Sequence, residues 1–547
     1  MADGGTEAKG TGDGGTEAGG TRVKARGIAT DGAVNRLRFL ALTHGRPLWR
    51  LAESVTPVRR RLNAALIDSA VREMPGRPEP LSTRSDYTSW SSLTDRSFMA
   101  RHLPPVPGGD ADAGRPTPEQ AADLFTRGEE MIPCPRSTVL FAYFAQWFTD
   151  GFLRGDTREP RDPRVNTSNH EIDVNPVYGL DEEATAAIRA FEGGLLKSQL
   201  VNGGEFPPYL CEQGKIKSEF SALSAAKFDV LDDARRDTLF ATGGDRGNVQ
   251  VGFTMFTVLF LREHNRVARL LAARHPRWDD ERLFQTARNI VIALVIKLVV
   301  EEYINHITPY HFRFLLDPRL TTRLARAPWH RQNWASVEFN LVYRWHSLIP
   351  STLIVGDREL PLAATLFGSA LIPEAGLGRL FEDASEQRAG RIGLFNTDPA
   401  LREVDMASIA GSRALRLASY NDYRAHCRFP RVRRFEQISG DPRVSGALRE
   451  LYRGVDDIDL YVGLFAEEPG SAKAILPPLL TKIIAIDAFS QALTNPLLAP
   501  RVLSAETFSP LGMEIIGSTR TVSDILHRNV PEDPQPRFVS MTWRGAR

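Results

Sequence analysis

The sequence contains few cysteines. Its 547 residues include three, and their spacing forms no pair of the kind that a disulfide framework or a thiolate metal centre uses. Both kinds of site are therefore excluded as the organising element of the fold. We expect Cys134, Cys211 and Cys427 to be buried, unreactive thiols.

An excess of charge of either sign is also missing. Lys and Arg number 68 and Asp and Glu number 67, so the formal net charge is +1. The balance gives no general electrostatic reason to expect a nucleic-acid partner. With 42% apolar and 25% charged residues, the composition is typical of a soluble globular protein. The length suits one large domain or about two to three ordinary ones.

No long apolar run interrupts this pattern. The most apolar stretch, residues 290–300, contains Lys297 and is too short to cross a bilayer. Residues 1–32 are rich in Gly, Thr, Asp and Glu, and residues 3–8 recur as residues 13–18. Such a segment lacks the apolar centre of a secretory signal. We interpret residues 1–32 as a disordered tail and predict a cytoplasmic protein.

Residues 33–72 have the pattern of amphipathic helices. Apolar residues such as Leu48, Trp49 and Leu51 alternate with arginines that include Arg61. A basic amphipathic segment can lie on a membrane surface, or it can pack on the domain that follows. The sequence leaves both interpretations open. Residues 73–547 are predicted to form the main domain.

A phenol and an imidazole lie close together in the stretch from Phe339 to Pro350. Tyr343 and His346 are three residues apart, on a helix that Pro350 is predicted to end. The imidazole can bind a haem iron, and the phenol can lose an electron to that haem. A lone His on an apolar helix is more often a core residue with satisfied hydrogen bonds. The pattern alone leaves both interpretations open.

A second stretch with polar residues in apolar surroundings is Val139–Phe152. It is apolar on nearly every side, which predicts a buried helix. Gln146 and Asp150 interrupt it at a spacing of four, so they share one face of that helix. A buried carboxylate is costly unless it is paired or hydrogen-bonded, and such groups concentrate at functional sites.

These stretches resemble a known family. Tyr343, Trp345 and His346 resemble the Tyr-x-Trp-His run of the proximal-haem segment of cyclooxygenases. Arg246 follows Gly244 and Asp245, sixteen residues ahead of the run Arg262–Arg266, and this pair of elements resembles the signature of the animal haem peroxidases. The resemblance extends from about Tyr87 to the last thirty residues. It implies one large, mainly α-helical haem-peroxidase domain with few short strands.

The resemblance implies a role for each residue near the haem. It makes His346 the axial ligand of haem b, Tyr343 the radical site, Asn421 the hydrogen-bond partner of His346 and Tyr461 a neighbour of the proximal pocket. On the distal side it assigns Gln146 and Arg246, and it places Asp150 where the family has a histidine. A carboxylate whose pKa burial has raised can perform the proton transfers of that histidine, or Asp150 is structural. Thr149 and Val249 replace the acids that link haem covalently in mammalian peroxidases, which implies non-covalent haem.

The resemblance also outlines a substrate channel. Tyr303, Ile304, Tyr310 and Ala488 match channel positions of cyclooxygenases. The carboxylate-anchoring arginine of those enzymes aligns with Asn63, and Arg61 is nearby in the sequence. Three histidines receive no catalytic role, because His102 is expected at a surface or turn and His170 and His264 within the structural framework.

Several functions fit these observations. The first is a fatty-acid dioxygenase, in which a ferryl haem formed by peroxide oxidises Tyr343 and the tyrosyl radical abstracts hydrogen from a lipid before O₂ adds. The alternatives are a peroxidase that uses Asp150 and Arg246 on small aromatic donors, a catalytically impaired haem protein, and an oxidase of a non-lipid compound. A homodimer and a peripheral membrane contact are both compatible with the sequence.

Overall fold

The computed structural model describes residues 37, 40–72, 81–107, 114–156, 161–331, 333–471 and 474–546. The predicted tail at residues 1–32 lies outside the described residues. About 51% of the chain is helical, and each sheet in the described ranges has two strands, which confirms the predicted fold class.

The helices vary from one turn to 24 residues. The α-helices of the first half are α1 Arg46–Ser54, α2 Thr56–Arg72, α3 Trp90–Thr94, α4 Pro118–Asp123, α5 Val139–Asp150, α6 Asn175–Tyr178, α7 Glu182–Ile188, α8 Asp233–Arg236, α9 Val251–Arg274, α10 Asp280–Leu298 and α11 Ile304–Ile307. Those of the second half are α12 Pro318–Leu324, α13 Val337–Val342, α14 Leu362–Thr365, α15 Leu371–Ala375, α16 Leu377–Glu386, α17 Arg402–Ala414, α18 Tyr420–His426, α19 Pro442–Leu451, α20 Leu460–Ala466, α21 Pro478–Leu493, α22 Ala505–Ser518 and α23 Val522–His527.

Short 3-10 turns and two-stranded ribbons connect the α-helices. The 3-10 turns are Ser218–Phe220, Phe228–Val230, His346–Leu348, Pro399–Leu401, Phe435–Gln437, Val455–Asp457, Pro496–Leu498 and Arg544–Ala546. The strands are β1 Leu81–Ser82, β2 Ala100–Arg101, β3 Pro133–Thr138, β4 Gln199–Val201, β5 Gly204–Phe206, β6 Cys211–Glu212, β7 Lys215–Ile216, β8 Thr352–Val355, β9 Arg358–Pro361 and β10 Arg388–Gly390. All pairs are antiparallel: β1 with β2, β3 with β10, β4 with β5, β6 with β7 and β8 with β9.

Three helices form the centre of the molecule. Helix α9 packs against α5 on one side and against α10 on the other. Trp147 of α5 stacks on Phe260 of α9 with ring centroids 4.6 Å apart, and its indole N–H donates to the Thr257 hydroxyl at 3.1 Å. The side chains of α5 are buried except for Gln146 and Asp150, which confirms the predicted buried helix.

The apolar run at residues 290–300 belongs to a longer helix than predicted. A π-turn, Val299–Tyr303, joins α10 to α11, so the helical run Asp280–Ile307 has 28 residues. By length and composition it could cross a membrane, which the shorter apolar run did not indicate. In the fold, 83% of its most apolar window is buried, as expected for a core helix.

The two N-terminal helices differ in how they contact the rest of the protein. Helix α2 packs on α21, and it buries Ile67 and Val71 in the same hydrophobic core that reaches Met541. Helix α1 buries no residue, and Leu48 and Leu51 are 72% and 66% exposed. Of the two interpretations of residues 33–72, packing on the domain holds for α2. Helix α1 exposes its leucines to solvent.

One local prediction is wrong. Tyr343 and His346 do not share one helix, because α13 ends at Val342 and His346 begins a separate 3-10 turn. Of the two places expected for His102, the surface is excluded, since its Nε2 lies 2.8 Å from the buried Asp487 carboxylate, and its backbone lies in a bend. All three cysteines are buried, as predicted.

Buried neutral histidines make the fold sensitive to acid. His264 of α9 bonds the Tyr178 hydroxyl at 3.0 Å and the Gly194 carbonyl at 2.9 Å. Burial lowers the pKa of His264 to about 4, and it lowers the pKa of His170 to about 4 as well. Between pH 6.5 and 4 the unfolded chain therefore binds protons that the folded chain does not.

We predict that the free energy of unfolding falls as the pH drops from 6.5 to 4, by about 3 kcal/mol for His264 alone. His264→Gln should reduce the slope of this free energy against pH by about one proton. Denaturant unfolding at several pH values measures the slope. His44→Gln, at an exposed position, is the control and should leave it unchanged. An unaltered slope in His264→Gln would contradict the assignment.

Candidate active site

The loop after α13 carries the residues at the centre of the candidate site. The Ser336 hydroxyl caps the start of α13 by accepting a hydrogen bond from the Phe339 amide at 3.0 Å. The chain leaves the helix at Tyr343 and enters the 3-10 turn at His346. Because this segment is not helical, contacts with other elements must fix the direction of both side chains.

A buried carboxylate fixes His346. Nδ1 of His346 lies 2.7 Å from Oδ1 of Asp405 in α17, and the Tyr461 hydroxyl of α20 donates to the same oxygen at 2.7 Å. An ionised carboxylate accepts hydrogen bonds and does not donate them, so Nδ1 is the donor in this contact and Nε2 is the ring nitrogen that remains for a ligand. Among the described residues, none hydrogen-bonds to Nε2. This arrangement fits an axial ligand of haem iron.

Asn421 does not contact His346, contrary to the prediction. Its amide donates to the Val432 carbonyl at 2.9 Å and to Asp456 at 2.6 Å, and its oxygen accepts from the Val432 amide at 2.8 Å. Asn421 therefore stabilises a loop, and Asp405 is the partner that sequence reasoning missed. Asp405 lies one turn before the buried Ile409 of α17, and an acid on that face was the available signal.

On the other side of the candidate site, Asp150 joins two arginines. Oδ1 of Asp150 contacts Nη1 of Arg246, and Oδ2 lies 2.9 Å from Nη1 of Arg154. Arg154 also contacts Asp245 through Nη2. The Asp150 carboxylate raises the pKa of the Arg246 guanidinium. The structure thus brings Asp150 and Arg246 together, and it adds Arg154, which the sequence placed four residues after Asp150 and we did not single out.

Gln146 shows that this face of α5 borders open space. It is exposed although its neighbours on α5 are buried, and it precedes Asp150 by one turn. Thr149 faces the helix backbone, where its hydroxyl donates to the Ala145 carbonyl at 2.7 Å. Gln146 and Asp150 therefore share one open face, while Thr149 does not reach it.

Tyr343 lies in an aromatic enclosure. Its ring centroid is 4.9 Å from Trp345, 5.2 Å from Phe339 and 6.2 Å from Phe148. Burial raises the pKa of Tyr343, and a contact with the Tyr303 hydroxyl lowers it in part, so the phenol is protonated at neutral pH. Neither hydroxyl makes a well-aligned hydrogen bond to a described residue.

The residues predicted to line a channel are spread over four parts of the chain. Tyr303, the last residue of the π-turn, contacts Phe148 at a centroid distance of 5.0 Å, and Ile304 begins α11. Both residues are buried. Ala488 is buried in α21, which packs on α13, the helix that leads to Tyr343. Tyr310 is half-buried in the segment after α11. The structure brings Tyr303 next to Tyr343 and links Ala488 to it through the packing of two helices.

The aligned head-group position has a structural role. The Asn63 amide donates to the Leu315 carbonyl at 2.8 Å, and Arg61 is exposed. One N–H of the Asn63 amide is therefore already used, and Asn63 cannot donate two hydrogen bonds to a carboxylate as an arginine does.

Comparison with known proteins agrees with these features. The family model described as animal haem peroxidase matches residues 116–539. Prostaglandin G/H synthase 2 of Equus caballus is 30% identical over 508 residues, which cover 91% of this chain and 81% of that protein. Prostaglandin G/H synthase 1 of Mus musculus is 31% identical over 510 residues, with the same two coverages.

Solved structures resemble the fold over almost its whole length. The fatty acid alpha-dioxygenase of Arabidopsis thaliana has a TM-score of 0.68 at 17% identity and covers 95% of this chain and 94% of that chain. The enzyme of Oryza sativa, in a structure with palmitic acid, has a TM-score of 0.67 at 16% identity and covers 94% of this chain and 97% of that chain. At these identities the likeness concerns the fold.

The contact between Asp405 and His346 predicts a change in haem affinity. Asp405→Asn should weaken haem binding by about 10-fold or more, because the imidazole loses the charged acceptor that fixes its orientation. Titration of the apoprotein with haem, followed by absorption, measures the affinity. Asn421→Ala is the contrasting variant and should bind haem as the wild type does. Loss of affinity in Asn421→Ala alone would reverse the assignment.

The contact between Asp150 and Arg246 predicts a change in the reaction with peroxide. Asp150→Asn should slow the spectral change that hydrogen peroxide causes in the haem-loaded protein by about 100-fold, because Arg246 loses the anion that holds it. Stopped-flow absorption measures the rate. Asp229→Asn, at an exposed position, is the matched control. A rate in Asp150→Asn within about twofold of the wild type would mean that Asp150 has no part in this reaction.

Proposed function

The chain belongs to the animal haem peroxidase family and is a haem-binding enzyme, and we propose that it oxygenates a fatty-acid chain by means of a radical at Tyr343. The observation that carries the proposal is the enclosure of Tyr343 by Phe148, Phe339 and Trp345, three residues before His346. A peroxidase that oxidises small donors at the haem edge does not need a tyrosine at this place.

Haem, which His346 would hold non-covalently, would supply a one-electron oxidant. The protein supplies orientation and charge. Arg246 would donate hydrogen bonds to a bound peroxide, and Asp150 holds its guanidinium in place. Tyr343 would give its electron and its hydroxyl proton to this oxidant. The tyrosyl radical then takes a hydrogen atom from the substrate, which restores the phenol, and O₂ adds to the carbon radical. The peroxyl radical takes the hydrogen atom of Tyr343, which yields the hydroperoxide and regenerates the tyrosyl radical. The aromatic side chains around Tyr343 exclude water from this radical.

A long apolar chain is the substrate class that the surroundings of Tyr343 favour. Tyr303 lies beside Tyr343. Ile304 and Ala488 are buried apolar residues, and α21, which carries Ala488, packs on the π-turn that ends at Tyr303. Phe314 contacts Phe489 at a centroid distance of 5.0 Å, next to Ala488. The names of the relatives, prostaglandin G/H synthases and fatty acid alpha-dioxygenases, support the same class.

The exposed leucines of α1 suit delivery of such a substrate. Leu48 and Leu51 lie on one turn of a helix that also carries Arg46 and Arg50. Apolar side chains flanked by arginines bind the surface of an anionic bilayer. In this proposal the enzyme is cytoplasmic and contacts a membrane peripherally through α1.

The peroxidase is the second candidate, and the pairing of Arg246 with Asp150 favours it. Peroxide cleavage needs a distal arginine, and the chain has one that a carboxylate orients. The two functions differ in their consumption of oxygen. A dioxygenase consumes O₂ when a fatty acid is added, whereas a peroxidase consumes peroxide and donor. An impaired haem protein would show no spectral response to peroxide, and an oxidase of a non-lipid compound would take up O₂ with that compound and not with a fatty acid.

Tyr343→Phe tests the proposal. The variant should lose fatty-acid-dependent O₂ uptake by at least about 100-fold, because phenylalanine has no O–H to lose, while its reaction with peroxide persists. An oxygen electrode with palmitic or arachidonic acid, together with stopped-flow absorption, measures both. Tyr209→Phe, at a half-buried tyrosine, is the matched control. Oxygen uptake by Tyr343→Phe at the wild-type rate would refute the radical model.

A further inference from the structure

Arg344, between Tyr343 and Trp345, is a half-buried cation without an ion pair. Its Nη2 donates to the neutral amide oxygen of Asn340 at 3.1 Å. Among the described residues, no carboxylate lies within salt-bridge distance of its guanidinium. By contrast, the nearby Arg154 pairs with both Asp150 and Asp245. Partial burial lowers the pKa of Arg344, which reflects the cost of holding this charge partly away from water. A half-buried cation without an acid partner is suited to bind an anion that the polypeptide does not provide.

The backbone of Arg344 is held by the residues around His346, namely Tyr461 and Asp405. Its carbonyl accepts a hydrogen bond from the Tyr461 hydroxyl at 3.2 Å. The single proton of this hydroxyl is shared with Asp405, the closer acceptor at 2.7 Å, which also holds His346. The position of Arg344 is therefore fixed by the same contacts that fix the candidate axial ligand.

The side chain also lies close to Asp150 and Arg246. Asn340, the partner of Arg344, packs against Gly155, the residue after Arg154, and Arg154 pairs with Asp150. The charges of Arg246 and Asp150 act on the pKa of Arg344, which agrees with this closeness. Arg344 therefore lies between the residues around His346 and those around Asp150.

We propose that Arg344 binds a propionate carboxylate of haem b. The two propionates are the acidic groups of this cofactor, and they lie on one edge of it. A guanidinium matches a carboxylate with two parallel hydrogen bonds, so the pair would neutralise the charge of Arg344 and fix the rotation of the haem about the iron–histidine axis. The inference rests on haem binding by the chain and is independent of which substrate is oxidised.

Haem b and its dimethyl ester distinguish this role from others, because the ester lacks both carboxylates. The wild-type apoprotein should bind haem b at least about 10-fold more tightly than the ester. Arg344→Met should lose this difference, with weaker haem b binding and unchanged ester binding. Arg344→Lys, which keeps a cation, should restore part of the difference. Absorption titrations measure each affinity, and Arg235→Met, at an exposed arginine of α8, is the control.

Three results would overturn the proposal. They are equal binding of the two porphyrins by the wild type, an equal loss of affinity for both in Arg344→Met, and binding of neither porphyrin by the wild type. Fluoride binding to the ferric protein provides the remaining distinction. If Arg344→Met weakens fluoride binding and keeps the preference for haem b over the ester, the anion that Arg344 binds is a ligand of the iron and the propionate assignment is wrong. Unfolding of the apoproteins, compared by circular dichroism, shows whether each variant is folded, and unchanged ester binding confirms an intact site.

Discussion

The Asp405 carboxylate is the contact on which the proximal half of the site depends. It accepts from His346 and from Tyr461, and Tyr461 in turn holds the backbone of Arg344. The chain between Val342 and His346 has no helix to orient it, so these hydrogen bonds replace regular backbone structure. One buried anion thus determines the direction of the imidazole, its protonated nitrogen and the position of the neighbouring guanidinium.

On the other side of the candidate site, Asp150 has two equivalent oxygens, and arginines occupy both. The carboxylate is therefore an anchor that charged hydrogen bonds hold to Arg246 and Arg154. This arrangement favours a site in which the arginine performs most of the electrostatic work.

The helical framework could be predicted well because the spacing of apolar residues along the chain indicates which helix faces are buried. The apolar surround of Gln146 and Asp150 predicted α5, and the Tyr-x-Trp-His run located Tyr343 and His346. The hydrogen-bond partners of these residues could not be predicted from local patterns. Asp405 lies 59 residues from His346, and no pattern joined the two. The resemblance put Arg246 on the same side as Asp150, 96 residues away, but their ion pair is a feature of the folded chain. The wrong assignment of Asn421 has the same origin, since a resemblance gives a position but not its contacts.

The π-turn at Val299–Tyr303 has a consequence for how this protein tolerates changes in length. A π-turn contains one residue more than the α-helical turn that covers the same rotation. If one residue were deleted from it, regular α-helix could take its place, and the residues from Ile304 onward would keep their faces. A deletion within α10 would instead turn α11 by about 100° relative to the residues before the deletion. The π-turn is therefore the place in the helical run Asp280–Ile307 where the chain can lose a residue without rotating α11 in the core.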